Sequence, residues 1–151
     1  MIKLITVGKI KEEYLREAQK EYEKRLSKYT KLEITELKDL SYEDENKILF
    51  EEGQSILKYI DSKDCVITLE IEGEELSSKD FASKIDSLLI TNSNIVFVIG
   101  GSLGLSKEVK TRSNYRLSFS KMTFPHQLFR IILLEQIYRG FKILNNETYH
   151  K

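Results

Sequence analysis

Apolar residues recur along the chain with two periods, one typical of strands and the other typical of helices. Short apolar or alternating runs predict five strands, at residues 2–7, 32–37, 65–71, 94–99 and 115–118. Apolar residues spaced three and four apart predict long helices at 12–29, 44–60 and 125–144. We expect Ser77 or Ser78 to cap a further helix and Ser106 a short one, because serine side chains accept hydrogen bonds from a first helical turn.

The order of these elements predicts the fold class. Strands alternate with helices, and the run 94–99 is apolar throughout, as in a central strand covered on both faces. We therefore expect an α/β fold, a mainly parallel sheet with helices on both faces, and a single domain over residues 1–151. Ligands of such sheets bind beyond the carboxyl ends of the strands, so the loops after Leu69, Ile99 and Ser118 form the candidate site.

Composition excludes several classes of protein. With 40% apolar and 32% charged residues, the 151-residue chain is neither fibrous nor disordered in composition. No apolar run approaches the roughly 18–20 residues that span a bilayer. Residues 1–8 are typical of a strand and a turn, not of a signal peptide. The single cysteine, Cys65, excludes an internal disulfide and suits a reducing compartment, so we expect a cytoplasmic protein.

Charge is distributed unevenly although the net charge is zero. Residues 106–151 hold nine Lys and Arg residues against three acidic ones, a net charge of +6 that the first 105 residues balance. A local positive potential of this kind favours a polyanionic partner such as a nucleic acid. Chance clustering of surface charges explains the same count, and the sequence leaves both interpretations open.

Two loops carry the candidate chemistry. The glycine-rich segment 100–106 suggests nucleotide or phosphate binding, but it lacks the dinucleotide spacing and the P-loop lysine, so a tight turn is an equal alternative. The segment 117–126 mixes apolar and hydroxyl residues that suit backbone contacts to a purine. It ends with the only proline, Pro125, which is typical of a helix start. His126 is then either a helix-start residue or a substrate contact.

The last helix and the tail point to partners. Eleven of the 19 residues from 126 to 144 are apolar and are not confined to one stripe, which predicts cover by a second copy of the chain. Burial within one subunit is the alternative. Tyr149, His150 and Lys151 offer stacking, hydrogen bonding and phosphate attraction, as in a contact with RNA. A frayed terminus is the alternative there.

Five segments together closely resemble one family. They are LITVGK at 4–9, FVIGGSLGL at 97–105, LSFSKMTFPHQ at 117–127, EQIYR at 135–139 and YHK at 149–151. In this order they resemble the RlmH family of ribosomal RNA methyltransferases in the SPOUT superfamily. The resemblance implies a deep trefoil knot in the C-terminal part, a rare exception to unknotted chains, and a homodimer. It also implies methyl transfer from S-adenosylmethionine to N3 of a pseudouridine in helix 69 of 23S ribosomal RNA on the assembled ribosome, without a metal ion or a membrane.

The resemblance assigns residues to roles by their match to the family's motifs. The expected cofactor-binding residues are Leu69, Gly100, Phe119, Ser120, Lys121, Met122, Thr123 and Phe124. The expected contacts to substrate RNA are Arg139, Tyr149, His150 and Lys151. The expected catalytic residues are His126, Arg139 and His150. A cation such as Arg139 stabilises the anion left when an imide nitrogen loses its proton, and His126 or His150 accepts that proton.

Three other functions remain open at this point. A SPOUT methyltransferase with another RNA target keeps the same cofactor chemistry. A non-catalytic ribosome-binding assembly factor keeps the fold and has no need for a working cofactor loop. A flavodoxin-like nucleotide binder explains the sheet but not the segment 118–126, which that fold does not require.

Overall fold

The computed structural model describes residues 1–150, which form one β-sheet with helices packed against it. The strands are β1 (Ile2–Val7), β2 (Leu32–Leu37), β3 (Cys65–Glu75), β4 (Ile95–Ile99) and β5 (Tyr115–Ser118). The helices are α1 (Glu13–Leu26), α2 (Glu45–Leu57), α3 (Ser78–Thr91), α4 (Lys107–Arg112) and α5 (His126–Leu144). The strand order is β2-β1-β4-β3-β5, and each of these neighbouring pairs is parallel. The predicted α/β class with a parallel sheet is confirmed.

Two apolar cores lie on opposite faces of the sheet. Helices α1, α3 and α5 contribute to one core, and α2 and α4 contribute to the other. Strand β4 lies at the centre, and its side chains point alternately into the two cores. Ile95, Phe97 and Ile99 join the first core, while Val96 and Val98 join the second. All five side chains are buried, so the central strand and the helices on both faces are confirmed.

Serine caps begin two of the helices. Ser77, rather than Ser78, caps α3, because its Oγ accepts a hydrogen bond from the N–H of Asp80 at 3.1 Å. Ser106 caps α4 as predicted, and its Oγ accepts from the N–H of Val109 at 3.3 Å. Both caps satisfy N–H groups that have no acceptor within their own helix.

Two helix predictions are too long at their C-terminal ends. Helix α1 ends at Leu26, and the N–H of Tyr29 turns back to the Leu26 carbonyl at 2.9 Å. Helix α2 ends at Leu57, and the N–H of Ile60 bonds the Leu57 carbonyl at 3.2 Å in the same way. Tyr29 and Ile60 still pack against the two cores, so the apolar spacing continues through turns that are no longer α-helical.

Strand β3 is longer than its apolar residues predict. It pairs with β5 as far as Leu69, loses register, and resumes pairing at Glu74. A Cβ at Gly73 would lie 2.8 Å from the backbone of Arg116, so glycine is what allows the two strands to approach there. The residues between the two paired stretches form a bulge at the carboxyl edge of the sheet. The sequence there is polar, so apolar spacing does not predict a strand.

A buried arginine joins four elements near the same edge. Arg130 of α5 is 2% exposed, and its Nη1 donates to Glu36 of β2 at 2.6 Å and to Gln19 of α1 at 3.0 Å. Its Nη2 donates to the Thr6 hydroxyl of β1 at 2.8 Å and to the Gly8 carbonyl at 3.1 Å. These bonds fix the start of α5 relative to β1, β2 and α1. In residues 1–150, no helix is long and apolar enough to cross a membrane.

Removal of the Arg130 side chain tests how far the fold depends on this contact. We expect Arg130→Ala to lower the free energy of unfolding by about 2–5 kcal/mol, because it removes a buried side chain and the donors that Thr6, Gly8 and Glu36 share. Arg25→Ala is the matched control, since Arg25 is half-exposed, forms an ion pair with Glu21 one helical turn away, and otherwise lies over the rings of Tyr22 and Tyr138. We expect that change to cost about 1 kcal/mol or less. Urea unfolding followed by circular dichroism measures both, and equal losses would contradict the assigned role.

Candidate active site

A cleft of about 390 Å³ opens beyond the carboxyl ends of β3, β4 and β5. Its walls come from the three loops named by the strand pattern: the end of β3 from Leu69, the glycine loop 100–105, and the aromatic loop 117–124. The first turn of α5 completes the wall through His126 and Phe129. The structure therefore has a cleft at the edge of the sheet where the sequence predicts the site.

The glycine loop closes on itself before it reaches α4. Gly101 and Gly104 form an isolated antiparallel bridge, with the N–H of Gly104 donating to the Gly101 carbonyl at 3.0 Å. A Cβ at Gly100 would lie 2.6 Å from the Gly104 carbonyl oxygen, and Gly104 itself has a φ of +83°. The turn therefore requires its glycines, and the same bare backbone lines the cleft. The two interpretations of this segment, a tight turn and a ligand loop, are compatible.

Helix α2 supports the glycine loop from behind. Glu52 is 4% exposed and accepts a hydrogen bond from the N–H of Leu40 at 3.1 Å. Its carboxyl packs against the backbone of Gly101, where a Cβ would be 3.2 Å from Oε1. Burial, helped by the neighbouring Asp39 carboxyl, raises the pKa of Glu52, whereas the Leu40 N–H opposes that rise. Sequence reasoning missed Glu52, because it lies in a charged stretch that resembles a solvated helix face.

The aromatic loop is held by α5. Phe129 packs edge-on against Phe119, with ring centroids 5.1 Å apart, and stacks on Phe124 at 5.7 Å. The Ser120 hydroxyl accepts a hydrogen bond from the N–H of Met122 at 3.0 Å, which tightens the turn between them. The Met122 side chain is 75% exposed at the mouth of the cleft. Phe129, which the sequence alone did not single out, thus connects the loop to the helix.

The structure brings most of the predicted cofactor residues together. Seven of them line the cleft, namely Leu69, Gly100, Phe119, Ser120, Met122, Thr123 and Phe124. Lys121 is not among the residues that form the wall, although it belongs to the same loop. His126, one of the three expected catalytic residues, is exposed at the start of α5 and lines the cleft as well. Ligand contacts at these positions stay predictions.

The other predicted substrate residues within 1–150 lie in a separate cluster formed by α5 and the segment after it, which we call the tail cluster (Glu135, Arg139, Tyr149 and His150). Arg139 pairs with Glu135 at 3.1 Å, and its guanidinium lies 4.7 Å from the centroid of the Tyr149 ring. Arg139 Nη1 also contacts His150 Nδ1 at 3.2 Å. Tyr149 donates to the Glu135 carboxylate, and this bond raises the pKa of Tyr149 to about 12. None of the four lines the cleft, and Lys151 lies outside the described residues.

Several of the basic side chains in residues 106–151 are engaged within the subunit. Arg130 is buried, Arg116 pairs with Glu70 at 2.7 Å, and Lys142 pairs with Glu147 at 2.9 Å. A count of charges therefore overstates the positive potential of this region, because buried or paired cations attract a polyanion less than solvated ones.

Helix α5 is largely covered by its own subunit. Five of its eleven apolar residues are buried, and the helix packs between α1 and α3. Towards its N-terminal half the cover is incomplete: Leu128 is 40% exposed, and Ile131 and Ile132 are half-buried. The alternative of burial within one subunit accounts for the C-terminal half, and the predicted second copy stays a prediction for the rest.

The parallel sheet and the glycine-lined cleft at its carboxyl edge define an α/β protein of the class whose ligand sites lie beyond the carboxyl ends of the strands. A family model described as "Predicted SPOUT methyltransferase" matches residues 1–150, and the chain belongs to that family. Within residues 1–150, no three His, Cys, Asp or Glu side chains are grouped so as to hold a metal ion.

Relatives match over nearly the whole chain. A protein named ribosomal RNA large subunit methyltransferase H from Clostridium beijerinckii is 56% identical, with 99% of each chain covered. A putative enzyme of the same name from Methanococcus vannielii is 57% identical over the same shares. The solved structure of a probable methylase family protein from Haemophilus influenzae covers 99% of this chain and 70% of its own, with a TM-score of 0.58 at 17% identity. That likeness shows the fold.

The pH dependence of stability in the Glu52→Gln variant tests how Glu52 supports the glycine loop. The pKa of Glu52 is raised in the folded protein relative to the unfolded chain. As the pH rises above about 4, ionisation of Glu52 therefore disfavours the folded state and lowers the free energy of unfolding. We expect Glu52→Gln to match the unmodified protein at pH 4 and to exceed its stability at pH 7. Glu52→Ala should lose about 1–3 kcal/mol at both values, because the Leu40 N–H loses its acceptor. Urea unfolding at each pH checks this; a Gln variant that is less stable at pH 7 would contradict it.

Proposed function

We propose that this protein transfers a methyl group from S-adenosylmethionine to N3 of a pseudouridine in helix 69 of 23S ribosomal RNA on the assembled ribosome. The observation that carries the proposal is that seven residues matching the family's cofactor motifs line one cleft, with His126 at its edge. The names and full-length identity of the relatives support the same activity. In this proposal residues 1–151 act as a single SPOUT domain with a C-terminal trefoil knot, in the cytoplasm, where ribosomes are found.

The cleft fits the proposed methyl donor in size and chemistry. Its volume of about 390 Å³ falls in the usual range for small-molecule sites, roughly 300–1,000 Å³. Leu69 and Phe119 offer apolar surface, and the glycine loop offers backbone groups without side chains in front of them. When bound, S-adenosylmethionine supplies a methyl group on a positively charged sulfur. The protein's own contribution is then to position the reactants and to exclude water.

The tail cluster narrows the choice of proton acceptor. A guanidinium has only donors, so Arg139 donates to Nδ1 of His150, and the lone pair of that nitrogen is occupied. In the neutral ring the proton then sits on Nε2, and His150 has no free acceptor in this arrangement. His126 makes no such contact in residues 1–150 and lies at the cleft. We therefore favour His126 as the acceptor and Arg139 as the cation that stabilises the imide anion.

The separation of the two groups of residues supports a composite site. His126 lies at the cleft, whereas Arg139 and His150 belong to the tail cluster, which is not part of the cleft wall. Between them, α5 carries the incompletely covered side chains of Leu128 and Ile132. In our proposal a second copy packs on this part of α5, and the tail cluster of one subunit adjoins the cleft of its partner. The working unit is thus a homodimer.

The substrate assay uses ribosomes from a strain that lacks this protein. We expect the purified protein and S-adenosylmethionine to methylate one pseudouridine of helix 69, located by mass spectrometry of nuclease fragments. A short helix 69 stem-loop should be a poor substrate, because one small domain reads ribosomal shape rather than a long sequence. Methylation elsewhere would point to another RNA target. Failure to bind S-adenosylmethionine in calorimetry would point to a non-catalytic assembly factor.

A subunit-mixing experiment tests the composite site. We expect His126→Ala and Arg139→Ala homodimers each to lose activity by roughly a hundredfold or more. After unfolding and refolding an equal mixture, half of the dimers are mixed and each has one intact site, so about one quarter of full activity should return. If each site belongs to a single subunit, the mixture stays as inactive as its components. The Lys107→Ala variant, mixed in the same way, controls for losses during refolding.

A further inference from the structure

Charged side chains on the wall of the cleft are confined to one side of it. Glu70 and Glu72 follow the paired part of β3, and Lys110 lies on α4. Helix α4 covers one face of the sheet, whereas α5, with His126, covers the other. The glycine and aromatic loops between them contribute apolar side chains, hydroxyls and backbone to the wall. A ligand in this cleft therefore meets fixed charges on the α4 side.

Glu70 organises these charges. Its carboxylate is 4% exposed and receives two hydrogen bonds from Arg116, at 2.9 and 2.7 Å, and one from the Thr68 hydroxyl at 2.7 Å. Burial alone would raise the pKa of Glu70, but the bonds from Arg116 and Thr68 hold it below its usual value. The group is therefore ionised at neutral pH. One buried carboxylate faces two cations, since Lys110 Nζ also lies 3.8 Å from it.

The two cations are not equivalent. Arg116 directs two N–H groups at Glu70 and does not line the cleft. Lys110 lies near the outer limit of an ion pair, and its side chain is 43% exposed. Because Arg116 makes two hydrogen bonds to Glu70 and Lys110 lies farther from it, the ammonium of Lys110 retains donors for a ligand. Of the residues in 1–150 that line the cleft, Lys110 is the only lysine or arginine.

The proposed methyl donor has a matching distribution of charge. Its adenosine part is uncharged, its sulfur is positively charged, and its amino-acid end carries a carboxylate and an ammonium group. We propose that Lys110 binds the carboxylate of this amino-acid end, and that Glu70 acts as the positioning residue that holds Lys110 at the α4 side of the cleft. The exposed carboxylate of Glu72, on the same side, is the acceptor for the ammonium group. This inference rests on the proposed function, because it specifies how the same cleft orients S-adenosylmethionine.

Two ligands separate the inference from a general effect on the cleft. S-adenosylmethionine has the amino-acid end and a positively charged sulfur, whereas 5′-methylthioadenosine keeps the adenosine and an uncharged sulfur but lacks that end. Because loss of a lysine cannot weaken the binding of a positive sulfur, weaker binding of S-adenosylmethionine still reports on its carboxylate. Calorimetry with Lys110→Ala should show the Kd for S-adenosylmethionine rising roughly tenfold or more, the usual effect of losing a hydrogen bond between charged groups. The Kd for 5′-methylthioadenosine should stay unchanged within about twofold, because that ligand offers no carboxylate. Lys110→Arg should restore most of the affinity for S-adenosylmethionine.

Lys107→Ala is the matched control, since Lys107 is an exposed lysine on the same short helix and does not line the cleft. It should leave both affinities as they are in the unmodified protein. Equal weakening of the two ligands by Lys110→Ala would overturn the inference, because it would mean a structural effect on the cleft. Unchanged binding of S-adenosylmethionine would overturn it too. The unmodified protein is measured first, and if it fails to bind S-adenosylmethionine, the proposed function itself falls.

Discussion

The burial of one guanidinium constrains how this molecule is arranged. Arg130 is almost free of solvent and is paired through Nη1 and Nη2, so β1, β2, α1 and α5 have to meet around it. A buried cation tolerates little displacement, because each lost partner leaves a desolvated charge behind. Arg130 lies one helical turn after His126 and next to Phe129. The pairing therefore fixes where α5 starts, and through Phe129 it fixes the aromatic loop that forms one wall of the cleft.

The opposite wall depends on a different kind of contact. On the far face of the sheet, Glu52 packs against Gly101, and Gly53 allows the Ser106 hydroxyl to come within 2.2 Å of where a Cβ would be. Helix α2 and the start of α4 thus hold the glycine loop through close backbone approach, whereas α5 holds the aromatic loop through ring packing. Each loop thus packs against a regular element of the fold. Such support reduces the ordering of the loops that a bound ligand must otherwise impose.

The sequence predicts the parts of this arrangement that depend on local spacing. Apolar periodicity locates all five strands, and serine caps locate the starts of α3 and α4. The sequence does not predict features that depend on contacts between residues far apart in the chain. The far end of β3 is polar and becomes a strand only because β5 pairs with it again after the bulge. Glu52 has the appearance of a surface residue until Leu40 and Gly101 close over it. The charge count was likewise misleading, because nothing local shows that Arg116 or Arg130 has a partner.

In the tail cluster, the ion pair between Arg139 and Glu135 restricts which groups Arg139 can bind in the proposed chemistry. Arg139 is neutralised by Glu135 and contacts His150, so its positive charge is not presented freely to phosphates in solution. A neutral uracil ring competes poorly with a carboxylate for a guanidinium, whereas an imide that has lost its proton competes well, because it carries a full negative charge. Exchange of Glu135 for that anion would stabilise the reacting form of the base more than its resting form. An interaction that strengthens as charge develops is the kind that lowers a barrier, and in the proposed chemistry the resting ion pair would provide that selectivity.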